Sequence, residues 1–213
     1  THFTIRRPKE EEEVDVVDPK AEEDDLTKTI TGKPIMGVSG FFNDAVRSDQ
    51  RVLDVLHAQN LWGAIVAFSG DMVKNKKRLL SRSARYSGLL DVLRFGELGA
   101  DVAASLEDAE VQAWLAFDVA PNDVGATLSA AIKAKTVERV VVAATGPVPD
   151  DQLKVMEGEG MDWSVVSFDV AALADDLPEG GPLAVDRDSQ DLASAISRDD
   201  ACRVVAEAFV LEP

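Results

Sequence analysis

The sequence predicts an α/β fold, a doubly wound, mainly parallel sheet with helices on both faces, preceded by an extended acidic N-terminal arm. Three observations predict it. The run Pro34-Ile35-Met36-Gly37-Val38-Ser39-Gly40-Phe41-Phe42-Asn43 is apolar, breaks into two glycines three apart, and then opens a helical pattern. After it, short apolar runs alternate with stretches of helical apolar spacing, as expected for parallel strands buried on both faces and joined by crossover helices. Residues 1–33 stand apart in composition, with Glu10, Glu11, Glu12, Glu13, Asp15, Asp18, Glu22, Glu23, Asp24 and Asp25 crowded among few apolar residues. The expected division is an arm over 1–33 and one domain over 34–213.

The first strand and turn are expected at residues 34–40. In a nucleotide-binding α/β domain the first glycine makes the tight turn, the second lets the backbone approach a pyrophosphate, and the third lets helix and strand pack closely. Here Gly37 and Gly40 hold the first two places and Asn43 the third. Two readings stand open: a dinucleotide site built on Gly37, Ser39, Gly40 and Asn43, or an architectural turn that holds no ligand.

Val46, Val52, Leu53, Val55 and Leu56 recur at helical spacing, so a helix is expected from Asn43 to about Gln59, with Asn43 or Asp44 as N-cap. Leu61–Phe68 is a continuous apolar run and reads as the second strand, completing a βαβ unit. Residues 71–86 carry Lys74, Lys76, Lys77, Arg78, Arg82 and Arg85, a basic island in an acidic chain. It reads either as a surface for an acidic partner, an anionic headgroup or a phosphate, or as a solvated helix face.

Leu89–Phe95 is expected as a third strand, 101–108 as a short helix and Val111–Phe117 as a fourth strand. Pro121-Asn122-Asp123 reads as a helix entry, followed by an apolar face at Val124, Leu128 and Ile132. A fifth strand over Val137–Ala144, a helix from Pro149 to Gly158 or Gly160 and a sixth strand at Trp163–Val166 follow. Residues 171–192, with Pro178, Gly180, Gly181 and Pro182, read as an excursion, and Ser197-Arg198-Asp199-Asp200 caps a last helix through Phe209.

Composition excludes several functions. With 46% apolar residues in 213, the chain can bury one sizeable core. A net charge of −17 and a pI near 4.4 argue against nucleic acid, whose binding begins with Lys and Arg neutralising phosphates. Cys202 is the sole cysteine, so no disulfide forms within the chain, and His2 and His57 lie far apart, offering no transition-metal cluster. The longest stretch without a charged residue, Val55–Gly70, is too short and too polar to span a bilayer. Thr1 in place of Met fits a chain whose presequence has been removed, and fits trimming equally well.

Three later phrases carry a resemblance. Thr136-Val137-Glu138-Arg139-Val140-Val141-Val142, Gly160-Met161-Asp162-Trp163-Ser164-Val165-Val166 and Ile196-Ser197-Arg198-Asp199-Asp200-Ala201 occur in this order. Together with the glycine turn they resemble the atypical short-chain dehydrogenase/reductase family, the NmrA-like, NAD(P)-binding group with plastid relatives, over about residues 34–212. The resemblance implies a Rossmann-like sheet. It also implies positions for catalysis, and these are substituted. The family's tyrosine and lysine four residues apart have no counterpart, because the one tyrosine, Tyr86, is followed at that distance by Leu90. The lysine and glutamate that atypical members carry fall near Pro149 and Leu153, and their arginine-proline pair at Ser167-Phe168. Lys154 substitutes for that lysine only with a shifted helix register.

Asp91, Asp101, Asp118 and Asp123 lie near expected strand ends, where ligands of α/β sheets bind, but chance proximity explains them in a chain with 39 acids. Trp62, Trp114 and Trp163 read as core or interface residues. No catalytic residue, no metal and no cofactor are therefore expected; the alternative, an NADP-dependent reductase or a nucleotide sensor, would hold NADP(H) over Gly37–Asn43. The expected function is a non-catalytic structural or assembly subunit of a large complex. Glu10–Glu13 of the arm and Lys74, Lys76, Lys77 and Arg78 are the expected partner contacts, since an arm without a core of its own must be ordered by something else. The plastid relatives implied by the resemblance place the expected home on the stromal side of a photosystem, peripheral to the thylakoid membrane, with respiratory complex I as a second home.

Overall fold

The computed structural model of the chain describes residues 2–6, 32–40, 46–68, 87–168, 173–174, 184–186 and 196–209. In chain order these form β1 (His2–Arg6), β2 (Ile35–Ser39), α1 (Val46–Gln59), β3 (Ala64–Phe68), α2 (Ser87–Val92), β4 (Leu93–Gly96), α3 (Val102–Asp108) and β5 (Ala113–Val119). A single 3-10 turn, Pro121–Asp123, then leads into α4 (Val124–Lys133), β6 (Arg139–Ala144), α5 (Asp150–Leu153) and β7 (Asp162–Ser167). The short strands β8 (Leu173–Ala174), β9 (Ala184–Asp186) and β10 (Ile196–Ser197) precede α6 (Arg198–Glu207).

The main sheet runs β4-β3-β2-β5-β6-β7-β1-β9. Its first six strands are all parallel. Counted from β2 their order is 3-2-1-4-5-6, that of the doubly wound nucleotide-binding fold. Alternation along each strand divides the core in two. Met36, Val38, Ile65, Ala67, Leu115, Val141 and Val166 face one side, where Val52, Leu53 and Leu56 of α1 and Ala201, Cys202 and Val205 of α6 cover them. Val66, Phe68, Trp114, Ala116, Val140, Val142 and Val165 face the other side, under Leu106 of α3 and Val124, Leu128 and Ala131 of α4. At about 1.5–3 kcal/mol for each fully buried aliphatic side chain, this two-sided burial is the main term holding the sheet.

The last helix follows its sequence signal. Ser197 Oγ accepts from the Asp200 backbone N–H at 3.0 Å and donates to Asp200 Oδ2 at 2.8 Å. Its far end is held from outside the helix. Gln59 Nε2 donates to the Ala206 carbonyl at 3.0 Å, and Arg139 donates through Nη1 to Phe209 O at 2.6 Å and through Nη2 to Ala208 O at 3.1 Å. The guanidinium stands 5.6 Å from the centre of the Phe209 ring, which meets Trp62 edge-on at 5.8 Å. Arg139 Nε lies 3.0 Å from Asp162 Oδ2 but makes no hydrogen bond, so that pair acts through charge alone.

Several elements differ from the sequence reading. Leu89–Phe95 is not one strand: α2 takes residues through Val92 and β4 begins at Leu93. A short apolar run does not distinguish a buried helical turn from a strand, and here Leu89 is buried from the helix. The helix expected after Pro149 is a single turn followed by a 3-10 turn, Lys154–Met156, and the chain reverses at Gly158 with φ +81°. Of the acidic arm, residues 2–6 are extended and join the domain's own sheet as β1. Glu10–Glu13 lie outside the described residues, as do Asn43, Tyr86 and the basic positions Lys74, Lys76, Lys77 and Arg78.

Candidate functional site

In a sheet of this order the chain leaves β2 in one direction, to β3 and β4, and returns on its other side at β5. The loops diverge there, opening a crevice at the C-terminal ends of the two strands. A cavity of about 360 Å³ occupies that place. It is lined by Ser39 and Gly40 at the end of β2, by Phe117 and Val119 of β5, and by Ala126, Thr127 and Ala130 of α4. Leu98 and Val102 close it on the side of α3. Among the described residues Asp123 is the one charged residue lining it.

The candidate cofactor residues part company here. Ser39 and Gly40 reach the cavity, whereas Gly37 sits inside β2, paired with Val66 on one side and Trp114 on the other. Gly37 therefore makes no turn, which corrects the reading of it as the turn glycine. A Cβ there would lie 2.9 and 3.0 Å from the Val111 methyls and 3.1 Å from the Phe68 ring. Val111 owes its place to the end of α3. Glu110 takes φ +54°, and the N–H groups of Glu110 and Val111 return to the carbonyls of Glu107 and Leu106, a Schellman closure that turns Val111 inward.

Gly40 has φ +61°, and a Cβ on it would lie 2.2 Å from the Phe117 carbonyl oxygen and 3.0 Å from its carbon. The glycine is thus required by the approach of β2 to β5. Ser39 is equally committed: its buried Oγ accepts from Trp114 Nε1 at 2.8 Å across the β2–β5 pair. The hydroxyl orients the indole that backs the cavity.

β5 carries an irregularity at the same level. Its register with β6 shifts between Ala116 and Val119, and Asp118 between them has φ +55°. The bulge turns Asp118 out to solvent while its neighbours Phe117 and Val119 line the cavity. Partial burial nonetheless raises its carboxyl above the ordinary 3.8. Asp101, by contrast, caps α3 by accepting from the Ala104 N–H at 3.2 Å, and Asp91 lies in α2. The four aspartates do not converge, and among the described residues no group of three His, Cys, Asp or Glu side chains could hold a metal ion.

The positions implied for catalysis are dispersed too. Pro149 caps α5, Lys154 is exposed on the following 3-10 turn, and Ser167 and Phe168 are buried at the end of β7. Among the described residues the cavity is walled mainly by apolar and small side chains, and no described lysine, arginine or histidine lines it. Asp123 stands where α4 begins, so the positive end of the helix dipole already has a carboxylate beside it. No described helix is long and apolar enough to cross a membrane.

No family model matches the chain, and no curated protein matches it. Among solved structures it is similar to AtPrR2 in its apo form, with a TM-score of 0.50 and 16% identity, over 82% of this chain and 65% of that one. The chain thus spans about two thirds of the length of that structure. At this identity the likeness speaks for fold alone, and it agrees with the strand order: the chain carries a Rossmann-like α/β fold.

Proposed function

We propose that this chain is a non-catalytic structural or assembly subunit of a larger complex, a degenerate member of the atypical short-chain dehydrogenase/reductase family. One observation carries the reading. Each glycine of the turn is required by packing within the protein, by the Phe117 carbonyl against Gly40 and by Val111 and Phe68 against Gly37, so neither calls for a cofactor to explain it. The stromal side of a plastid photosynthetic complex is the home that the sequence resemblance suggests, with Glu10–Glu13 and Lys74–Arg78 as the contacts to the neighbouring subunits.

Calorimetric titration with NADPH tests the reading at the site. No saturable binding is expected up to millimolar cofactor, and micromolar binding that Ala126→Trp abolishes would overturn it. Ala126 is the position to block because it lines the cavity from α4, whereas a Gly40 variant would disturb the sheet itself. For docking, replacing Glu10, Glu11, Glu12 and Glu13 by glutamine leaves β1 in place. Loss of co-sedimentation with the native complex is expected, and undiminished association would remove the arm as an anchor.

A second reading, an NADP-dependent reductase or nucleotide sensor, is favoured by one observation: the cavity lies at the switch point of a 3-2-1-4-5-6 sheet, where such folds seat their ligands. The same titration distinguishes the two, and turnover of NADPH distinguishes reductase from sensor.

A further inference from the structure

β1 sets this sheet apart from a plain doubly wound one. It runs antiparallel to β7, with Thr4 opposite Ser167, Ile5 opposite Val166 and Arg6 opposite Val165, and parallel to β9 on its other side. Without it the parallel sheet would end at β7, a strand buried from Trp163 to Ser167. A flat apolar edge of this kind presents a row of free N–H and C=O groups and is a template for any strand that reaches it.

The tether does not confine β1 to its own sheet. Four strand positions separate β1 from β2, the strand to which it is joined in sequence, or roughly 20 Å at about 4.8 Å for each. The joining stretch, residues 7–34, can extend to about 90 Å at ~3.3 Å per residue. The same strand therefore reaches the β7 edge of an adjacent copy, where it meets an identical register.

We propose that the β7 edge is a strand-acceptor site and that β1 exchanges between two copies of this chain, each N-terminal strand completing the other's sheet. The pairing is the same in the closed and exchanged forms, so effective concentration decides between them, at about millimolar for a linker long enough to span the gap. The closed form prevails at micromolar concentration, and exchange gains where copies are crowded together.

Disulfide capture in the full chain tests this. Residues opposed in an antiparallel pair share a face and lie about 4.5–5.5 Å apart at Cα, inside the ~4.4–6.8 Å span of a disulfide. Thr4→Cys and Ser167→Cys are made together in one chain, and separately in two chains that are then mixed. Each sample is equilibrated in a glutathione redox buffer at about 10 μM and at about 1 mM, either side of the expected exchange range. Peptide mapping identifies the linkage between positions 4 and 167 and separates it from any through the buried Cys202.

The double variant is expected to close on itself at the lower concentration. The mixture is expected to form the same linkage between chains, rising about tenfold or more from the lower to the higher concentration. If the double variant closes while the mixture stays unlinked at both concentrations, β1 does not exchange. If the double variant never forms the linkage, β1 does not occupy the β7 edge. Either result overturns the proposal.

Discussion

Replacing Gly40 by alanine separates packing from ligand binding at the turn, because the substitution adds one methyl group whose neighbours are known. Two costs arise. At φ +61° a residue with a Cβ loses about 1–2 kcal/mol relative to glycine. The new Cβ also falls 2.2 Å from the Phe117 carbonyl oxygen, a backbone atom that cannot swing aside, so β2 and β5 must part at about 1–3 kcal/mol. The total, roughly 2–5 kcal/mol, is a large share of a domain stability of about 5–15 kcal/mol. Two other glycines isolate the terms. Gly158→Ala, at φ +81° with nothing within 4 Å of the new Cβ, carries the conformational cost alone. Gly37→Ala carries a steric cost against Val111 and Phe68 side-chain atoms that can shift, and the lower entropy of the unfolded chain returns about 0.5–1 kcal/mol, leaving a net loss near 1. Urea unfolding followed by tryptophan fluorescence, with the slope checked for constancy, gives all three values. If Gly40→Ala loses no more stability than Gly158→Ala, the Phe117 contact is not what requires the glycine.

The remaining predictions concern the end of α6 and the bulge of β5. Arg139→Ala removes two charge-assisted hydrogen bonds to the carbonyls of Ala208 and Phe209 and should cost about 2 kcal/mol, with amide hydrogen exchange accelerating over Val204–Phe209 before the sheet; uniform acceleration would mean that Arg139 does not clamp the helix. Asp118→Asn should stabilise the protein at neutral pH. Its carboxyl titrates above 3.8 when folded, so its favourable contribution is complete below that value and is lost as pH rises through the raised one, where the folded state must carry a partly desolvated charge. The gain stays under about 1 kcal/mol because solvent screens the group. Thermal melts at about pH 7 and about pH 3 should show the gain fading in acid; a gain that persists would come from the ease of asparagine at φ +55°.

What the sequence made legible follows from which forces act locally. The buried strands were readable because burial on both faces leaves an unbroken apolar run, as at Val140–Ala144. The cap at Ser197 was readable because its partner Asp200 lies within the same turn. The division of Leu89–Phe95 between α2 and β4 was not, since four or five apolar residues satisfy either period. Nor was the entry of residues 2–6 into the sheet, because their pairing partners stand more than 150 positions away, and the composition around them is set by the glutamates that follow. At the site, Ser39 and Gly40 reach the crevice, while Gly37, read as the turn glycine, lies inside β2. The residues that decide the matter, Val111, Phe117 and Trp114, carry no motif, since they act by volume and by one carbonyl and one indole N–H.

A crevice at the ends of β2 and β5 follows from the reversal of strand order alone, so its presence is a property of the topology before it is a property of any ligand. What a dinucleotide needs in addition is a backbone that it can approach and positive charge or free N–H groups to meet its phosphates. Gly40 does not testify to the first condition: it would have to be glycine even if no nucleotide had ever bound, because Phe117 fills the volume that a side chain would take. A residue required for one reason is not evidence for another. Asp123 bears on the second condition at α4 alone, whose first turn already has a carboxylate beside it; the residues that lead from Gly40 into α1 lie outside the described residues. The glycine spacing that points most directly to a cofactor in the sequence is therefore accounted for by packing, Gly40 by the meeting of β2 and β5 and Gly37 by Val111 and Phe68.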